Sequence, residues 1–220
     1  MNSFVKDVLP PFLWRFLRKN YYRAGIPGPG PGGTTAGWYD KAYERTAGYH
    51  THFTGSEYYF LWTVVADRIV RSGATRILDL GCGPGQFAAL LQSRGIREYC
   101  GVDFSERAIG MARKACSGFT FIREDLERPE LLRTLEYDLV VSMEFLEHVS
   151  FDMEILNRIR SGARFLGTVP NYPYHSHLRH FSGTKEVAAR YGSLFNSFSV
   201  DEFLKNAEGE RYFLMDGLKK

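Results

Sequence analysis

The sequence predicts an α/β domain: a largely parallel sheet buried under helices on both faces and finished by an antiparallel hairpin strand. Three observations lead there. First, short apolar runs at residues 76–80, 98–103, 119–123, 137–142 and 164–169 alternate with helix-length segments. Repeated βαβ units give that pattern, because their strands are covered on both sides. Second, a glycine-rich turn, Gly81-Cys82-Gly83-Pro84-Gly85, follows the first run directly. Third, residues 198–204 and 211–218, separated by a turn at 206–209, read as a terminal strand hairpin.

The elements follow in chain order. Residues 3–24 mix apolar and aromatic side chains with Arg15, Arg18, Lys19 and Arg23, and Pro10-Pro11 interrupts any single helix. Such a segment suits a short helix packed on the domain or a partner. It also suits a peripheral element at a membrane surface. Residues 25–37 are too rich in Gly and Pro for helix or strand. The domain boundary therefore falls here, with a basic/aromatic segment and linker at 1–37 and the main domain at 38–220. Residues 38–47 are expected to be helical. Thr54, with Glu57 three residues on, is a capping-box signature. It would open an amphipathic helix to about Arg71, with Phe60, Leu61, Val64, Val65 and Ile69 on the apolar side.

Composition sets the outer limits. The chain has 220 residues, of which 44% are hydrophobic, enough for one cored domain with an appendage. A net charge of +3 is too weak to argue for nucleic acid, where basic residues would line one face. The three cysteines, Cys82, Cys100 and Cys116, are odd in number and lack metal spacing, which suits a reducing cytosol. No apolar run reaches the roughly 18 residues of a membrane span, and no signal-peptide pattern is present. The expected location is cytoplasmic, or peripheral to a membrane through residues 3–24. No feature of the sequence sets the oligomeric state.

The glycine turn carries the first chemical information. Glycines between a strand and a helix allow a tight turn and close approach of a ligand. The spacing is GxGxG, whereas dinucleotide-binding turns favour GxGxxG. Asp79 stands two residues before the first glycine. A carboxylate there would repel a pyrophosphate and attract a ligand carrying an ammonium and a sulfonium. The second strand ends at Asp103-Phe104-Ser105, where an acid can accept hydrogen bonds from ribose hydroxyls. The third leads into Arg123-Glu124-Asp125-Leu126, where an acid could accept from an adenine amino group.

In order, ILDLGCGPGQF, GVDFS, REDLE and YDLVVSMEFLEHV resemble the successive motifs of class I, Rossmann-like S-adenosylmethionine-dependent methyltransferases. The resemblance spans about residues 38–218. It implies a seven-stranded sheet whose last-but-one strand in space is antiparallel. It also implies S-adenosylmethionine as cofactor. Asp79, Gly81, Gly83 and Gly85 would hold the methionine end. Asp103 would hold the ribose, with Phe104 beside the adenine and Asp125 and Leu126 at its edge. Ser142, at the end of the fourth strand, joins this cofactor-side set.

Two segments are candidates for the acceptor side. After the fourth strand comes Glu144-Phe145-Leu146-Glu147-His148. On a helix, Glu144, Glu147 and His148 would share one face and could bind a divalent metal. This ExxEH resembles two metal-using branches of the family, the ubiquinone-pathway O-methyltransferases and the small-RNA 2′-O-methyltransferases. A metal-free His148 beside the active site is the favoured reading. The second segment, residues 170–181, carries His175, His177 and His180 among tyrosines. It suits an acceptor-binding lid bearing a base, so His148, His177 and His180 are the catalytic candidates. Asn171-Tyr172-Pro173-Tyr174 resembles the (N/D)PPY motif of amino-group methyltransferases, but follows the fifth strand rather than the fourth. Oxygen acceptors are therefore favoured, on a small molecule or sugar. The alternatives are a metal-dependent RNA 2′-O-methyltransferase and a catalytically silent cofactor-binding adaptor. A nicotinamide dehydrogenase is disfavoured by GxGxG with its preceding acid.

Overall fold

The computed structural model describes residues 34–127 and 130–220. The segment 3–24, most of the expected linker and the membrane-surface reading lie outside those residues. The elements are α1 (Ala36–Arg45), α2 (Tyr59–Ser72), β1 (Arg76–Leu80), α3 (Gln86–Ser93), β2 (Glu98–Asp103), α4 (Glu106–Ala115), β3 (Thr120–Arg123), α5 (Leu131–Thr134), β4 (Leu139–Met143), α6 (Asp152–Arg158), β5 (Arg164–Pro170), α7 (Thr184–Tyr191), β6 (Phe195–Leu204) and β7 (Arg211–Lys219). The seven strands form one sheet in the order β3-β2-β1-β4-β5-β7-β6. β1 to β5 pair in parallel, and β7 runs antiparallel between β5 and β6. This is the sheet expected from the motifs.

The core shows why the strands read as apolar runs. Successive residues of one strand feed opposite faces: Ile77 packs with α2, α3 and α4, whereas Leu78 and Leu80 pack with α5, α6 and α7. Val140 and Phe165 join the second cluster, while Leu139, Val141 and Leu166 join the first. A strand covered on both sides has no polar alternate. Strand order reverses between β1 and β4. Ligands of such sheets bind at this reversal, outside the carboxyl ends of the strands.

Three local expectations are corrected. α1 starts at Ala36, inside the expected linker, because the Thr35 hydroxyl accepts from the Trp38 amide at 3.3 Å. Thr54 does not cap α2: its hydroxyl meets His52 Nδ1 at 2.9 Å in a short 3₁₀ turn, and the helix begins at Tyr59. The buried stripe of α2 is therefore Leu61, Trp62, Val65, Ala66 and Ile69, and Phe60 is 61% exposed. Among the described residues no helix is long and apolar enough to cross a membrane.

Candidate active site

The loop from β1 to α3 is held from below by β2. The amides of Gly81 and Cys82 both donate to the Val102 carbonyl, at 2.8 and 3.0 Å. Gly83 N–H donates to Asp103 Oδ2 at 3.0 Å, and Ser105 N–H donates to Oδ1 at 2.9 Å. Asp103 thus fastens the glycine turn to the end of β2 while keeping lone pairs for a ligand. Gly81 and Gly85 have φ of +75° and +83°, the left-handed region that favours glycine. Both are also packed. A Cβ on Gly81 would come within 2.6 Å of the Phe145 ring, and one on Gly85 within 2.8 Å of Ala112 Cα.

Asp79 is 2% exposed. Its Oδ2 accepts from the Tyr99 hydroxyl at 2.5 Å, and its Oδ1 is buried without a partner. Burial pushes its carboxyl up to about 7, and that of Asp103 to about 6. Phe104 is half-buried, its ring 5.4 Å from that of Tyr39. Asp125 is exposed and accepts from the Glu127 amide at 3.0 Å, whereas Leu126 is buried. Ser142 is buried with its hydroxyl unpartnered. α1 lies over this region. Asp40 Oδ1 accepts from the Ser105 hydroxyl at 2.5 Å and the Arg107 amide at 3.0 Å.

The acceptor-side segments meet at the end of β4. Residues 144–148 do not form the expected α-helix. Glu144 sits at φ +53° with its amide donating to Thr168 Oγ1 at 3.1 Å, and Leu146–His148 is a 3₁₀ turn. The shared face of Glu144, Glu147 and His148 is therefore not made. The fold instead gathers Glu147, His148 and His177, whose ligand atoms lie within 4.8 Å of one another. Glu147 is fully buried and neither carboxylate oxygen has a partner. His148 Nδ1 faces the Ser176 carbonyl at 3.1 Å, and His177 Nδ1 faces that of Tyr172 at 3.1 Å. A carbonyl can only accept, so each Nδ1 carries the proton and each Nε2 is an acceptor. Burial pushes His148 down to about 3 and His177 to about 4, so both imidazoles are neutral. Burial raises the Glu147 and Glu144 carboxyls, the latter to about 7. His180 is exposed and stands outside this group, and His175 packs on Trp38 and Tyr174.

A family model described as a methyltransferase domain matches residues 37–208. The chain belongs to this methyltransferase family. Its sheet is the class I fold of methyltransferases solved with S-adenosylmethionine or S-adenosylhomocysteine bound. A ubiquinone biosynthesis O-methyltransferase of Aromatoleum aromaticum is 32% identical over 87 residues, covering 38% of this chain and 37% of that one. Its counterpart in Aeromonas salmonicida is 32% identical over 107 residues, covering 44% of each. The chain thus spans less than half the length of the curated relatives it matches. Among solved structures, magnesium protoporphyrin IX methyltransferase from Synechocystis PCC 6803 with bound S-adenosylhomocysteine superposes with a TM-score of 0.59. That pair is 17% identical, with 99% of each chain covered. The methyltransferase domain of a bacterial Hen1 gives a TM-score of 0.52 at 18% identity, covering 72% of this chain and 97% of that one. At these identities the structural likenesses show the fold.

The residues fit the cofactor of this methyltransferase. The buried, unpartnered Asp79 Oδ1 is the acceptor an ammonium group requires, and Asp103 retains lone pairs for hydroxyl donors. Several residues of the methyltransferase site carried no signal in the sequence. Tyr39 links its two halves, with its ring 5.4 Å from Phe104 and 6.1 Å from His148. Arg179 ties the acceptor segments together by donating to the Leu146 and Val149 carbonyls at 2.5 and 2.6 Å. Tyr172 was visible only through the NYPY pattern, which the fold places after β5.

Proposed function

We propose that this methyltransferase methylates a hydroxyl group of a small molecule or sugar. The observation that carries the reading is the acceptor side: Glu147 and two neutral imidazoles with Nε2 as acceptor gather within 4.8 Å, with Glu144 next to Glu147. An oxygen acceptor must give up a proton, and this cluster holds groups that can receive it. Glu144, raised to about 7, matches a base working near neutral pH better than His148 or His177, whose depressed values make them weak bases. His148 and His177 then serve mainly to orient the acceptor oxygen. His180 has no role in this arrangement. When bound, S-adenosylmethionine supplies a methyl group already activated on sulfur, so the chain's own work is positioning and proton removal. Asp79 holds the ammonium, Asp103 the ribose hydroxyls, and Phe104, Asp125 and Leu126 the adenine. The similarity to ubiquinone biosynthesis O-methyltransferases supports an oxygen acceptor.

Two measurements test this. Calorimetric titration with S-adenosylhomocysteine should show micromolar-range binding that Asp103→Ala weakens at least ~10-fold, from loss of charge-assisted hydrogen bonds. A labelled-methyl screen over phenols, catechols, sugars, amines, RNA and protein should give an O-methylated small molecule. Methylation of RNA, protein or amines alone would sink the reading.

A second reading has its own observation. Glu147, with both oxygens unpartnered, stands with His148 and His177 at metal-ligand spacing. A divalent ion held by these three would lower the pKa of the acceptor hydroxyl as a Lewis acid. Calorimetry of chelator-treated protein with Mg²⁺, Mn²⁺ and Zn²⁺ tests it. Saturable 1:1 binding lost in Glu147→Gln supports the site, and no binding of any of the three removes it.

A further inference from the structure

Lys205 lies just after β6, in the turn to β7. Its amide donates to the Glu210 carbonyl at 2.7 Å, and Asn206 Nδ2 holds the Glu210 carboxylate at 2.8 Å. The hairpin thus aims the Lys205 side chain back across the end of the sheet. There its ammonium sits over the Tyr172 ring, 4.1 Å from the centroid, and 5.4 Å from that of Tyr212. Its carboxylate neighbours are more distant, Glu210 at 3.5 Å and Glu57 at 3.7 Å, and both are partly solvent-exposed. Its short polar contact is the Tyr172 hydroxyl oxygen, at 2.8 Å.

The direction of that bond matters. An ammonium only donates, so the Tyr172 oxygen accepts and its own proton must point elsewhere. The Tyr212 hydroxyl also faces this oxygen, as a donor, and Glu144 Oε2 is the carboxylate acceptor within reach of the Tyr172 proton, at 3.5 Å. The other oxygen of the same carboxylate, Oε1, is buried and has no partner. The Glu144 backbone is held at φ +53° with its amide on Thr168, which fixes where the side chain leaves the end of β4.

We infer that Lys205 and Tyr172 are positioning residues that hold one oxygen of Glu144, leaving the other to receive the hydroxyl proton of an uncharged acceptor. This rests on the oxygen-acceptor reading above and names the acceptor's charge class. The hydroxyl proton passes to Oε1 as the acceptor oxygen takes the methyl group and sulfur keeps the electron pair of the broken carbon–sulfur bond. The acceptor is uncharged because the surroundings are acidic. Glu57, Glu144 and Glu210 face one ammonium and Glu147 lies next to Glu144, while Arg179 is engaged with two carbonyls and Asp152. An acceptor bearing a carboxylate or phosphate would meet that excess of like charge.

The test is a double-mutant cycle in the intact protein with the acceptor found in the labelled-methyl screen. Lys205→Met and Tyr172→Phe should each lower kcat ~10- to 100-fold, a part of the ~10²- to 10⁴-fold that positioned proton transfer contributes. KM for S-adenosylmethionine should hold within ~2-fold. Because the two act through one chain of bonds, the double variant should be no worse than the poorer single. Lys205→Arg should recover most of the loss, since it restores the donor. Additive losses, an unchanged kcat, or Arg no better than Met at the wild-type Tm would each overturn the inference. A second measurement needs no turnover. Saturation-transfer NMR of the S-adenosylhomocysteine complex should show catechol binding at least ~10-fold tighter than its carboxylated analogue protocatechuate, about 1.4 kcal/mol of discrimination. Tighter protocatechuate binding, or no catechol binding, overturns the charge class. An acceptor methylated on nitrogen would instead defeat the oxygen-acceptor reading, and the cycle could still be run on that acceptor.

Discussion

Three glycine-to-alanine substitutions separate backbone strain from packing in the loop that holds the cofactor. Gly85 stands at φ +83°, and an added Cβ would lie 2.8 Å from Ala112 Cα and 2.9 Å from its Cβ, both on α4. Gly95 stands at φ +87° with nothing within 4 Å of such a Cβ. Gly110 is inside α4, also with nothing within 4 Å and no positive φ. The left-handed conformation costs an alanine ~1–2 kcal/mol. Forcing a methyl against helix backbone costs a further ~1–3 kcal/mol. Gly95→Ala should therefore lose ~1–2 kcal/mol and Gly85→Ala ~2–5 kcal/mol. Gly110→Ala should gain ~0.5–1 kcal/mol from a less entropic unfolded chain. For a chain of this length each kcal/mol moves Tm by ~2–4 °C. The predicted shifts are ~2–8 °C down at Gly95, ~4–20 °C down at Gly85, and ~1–4 °C up at Gly110. Gly85 also precedes α3 in the turn that Asp103 fastens, so its variant should bind S-adenosylhomocysteine ~10-fold more weakly, the worth of about one hydrogen bond. Differential scanning calorimetry and isothermal titration read both effects. If Gly85→Ala melts with Gly95→Ala and binds like wild type, the contact with α4 does not shape the loop and the argument fails.

The pH dependence of cofactor binding should follow Asp79. In the free protein burial raises this carboxyl to about 7, and a bound ammonium favours its charged form. Below about pH 7 binding must expel a proton, so affinity for S-adenosylhomocysteine should fall by up to tenfold per pH unit. The folded-state value lies above the unfolded one of ~3.9. The unliganded protein is therefore relatively more stable at low pH, and that advantage is lost as pH rises through about 7. Asp79→Asn should flatten both slopes. A steep affinity profile persisting in Asp79→Asn would show that another group titrates. On the opposite face, Asp152 is fully buried and receives two guanidinium bonds from Arg190 at 2.8 Å and one from the Tyr191 hydroxyl at 2.7 Å. Asp152→Ala strands those donors and should cost ~3–5 kcal/mol, seen as a drop in Tm of ~6–20 °C. A loss below 1 kcal/mol by chemical denaturation would mean the network relaxes onto water.

The cofactor side was legible because each of its acids stands at the end of a strand that announces itself. Asp79 closes the run 76–80 and Asp103 the run 98–103, so locating the strands locates the carboxylates. The acceptor side was legible only in its residue types. Glu144 belongs to a motif that reads as helical, but Thr168, from a different strand, takes its amide and holds it at φ +53°. His177 reaches His148, with ring centroids 4.8 Å apart, because Arg179 and the Leu178 amide tie the loop after β5 to the turn after β4. Lys205 reaches Tyr172 through a hairpin whose strand order places β7 inside β6. Such pairings are tertiary and leave no local pattern. The misplaced start of α2 has the same origin on a smaller scale. The Thr54–Glu57 spacing is right for a cap, yet His52 supplies a nearer partner for the Thr54 hydroxyl.

The distribution of charge gives a physical reason for the proposed site to prefer S-adenosylmethionine. Elsewhere in the fold, buried or half-buried acids meet arginines: Asp152 with Arg190, Asp216 with Arg164 and Arg68, Asp138 with Arg76. At the carboxyl end of the sheet they do not. Among the described residues Asp79 and Asp103 are buried with no Lys or Arg within salt-bridge distance, Glu147 has only the neutral His148 at 3.8 Å, and burial pushes all three carboxyls up. Buried acids in that condition weaken the empty protein, because a charge removed from water is costly until it is paired. A ligand carrying an ammonium and a sulfonium brings the positive charge that the chain itself withholds there. A dinucleotide would bring a pyrophosphate to the same carboxylates and meet repulsion. On the proposed site, preference for a cationic methyl donor would follow from leaving these acids unpaired, and binding of that donor should then raise the stability of the fold.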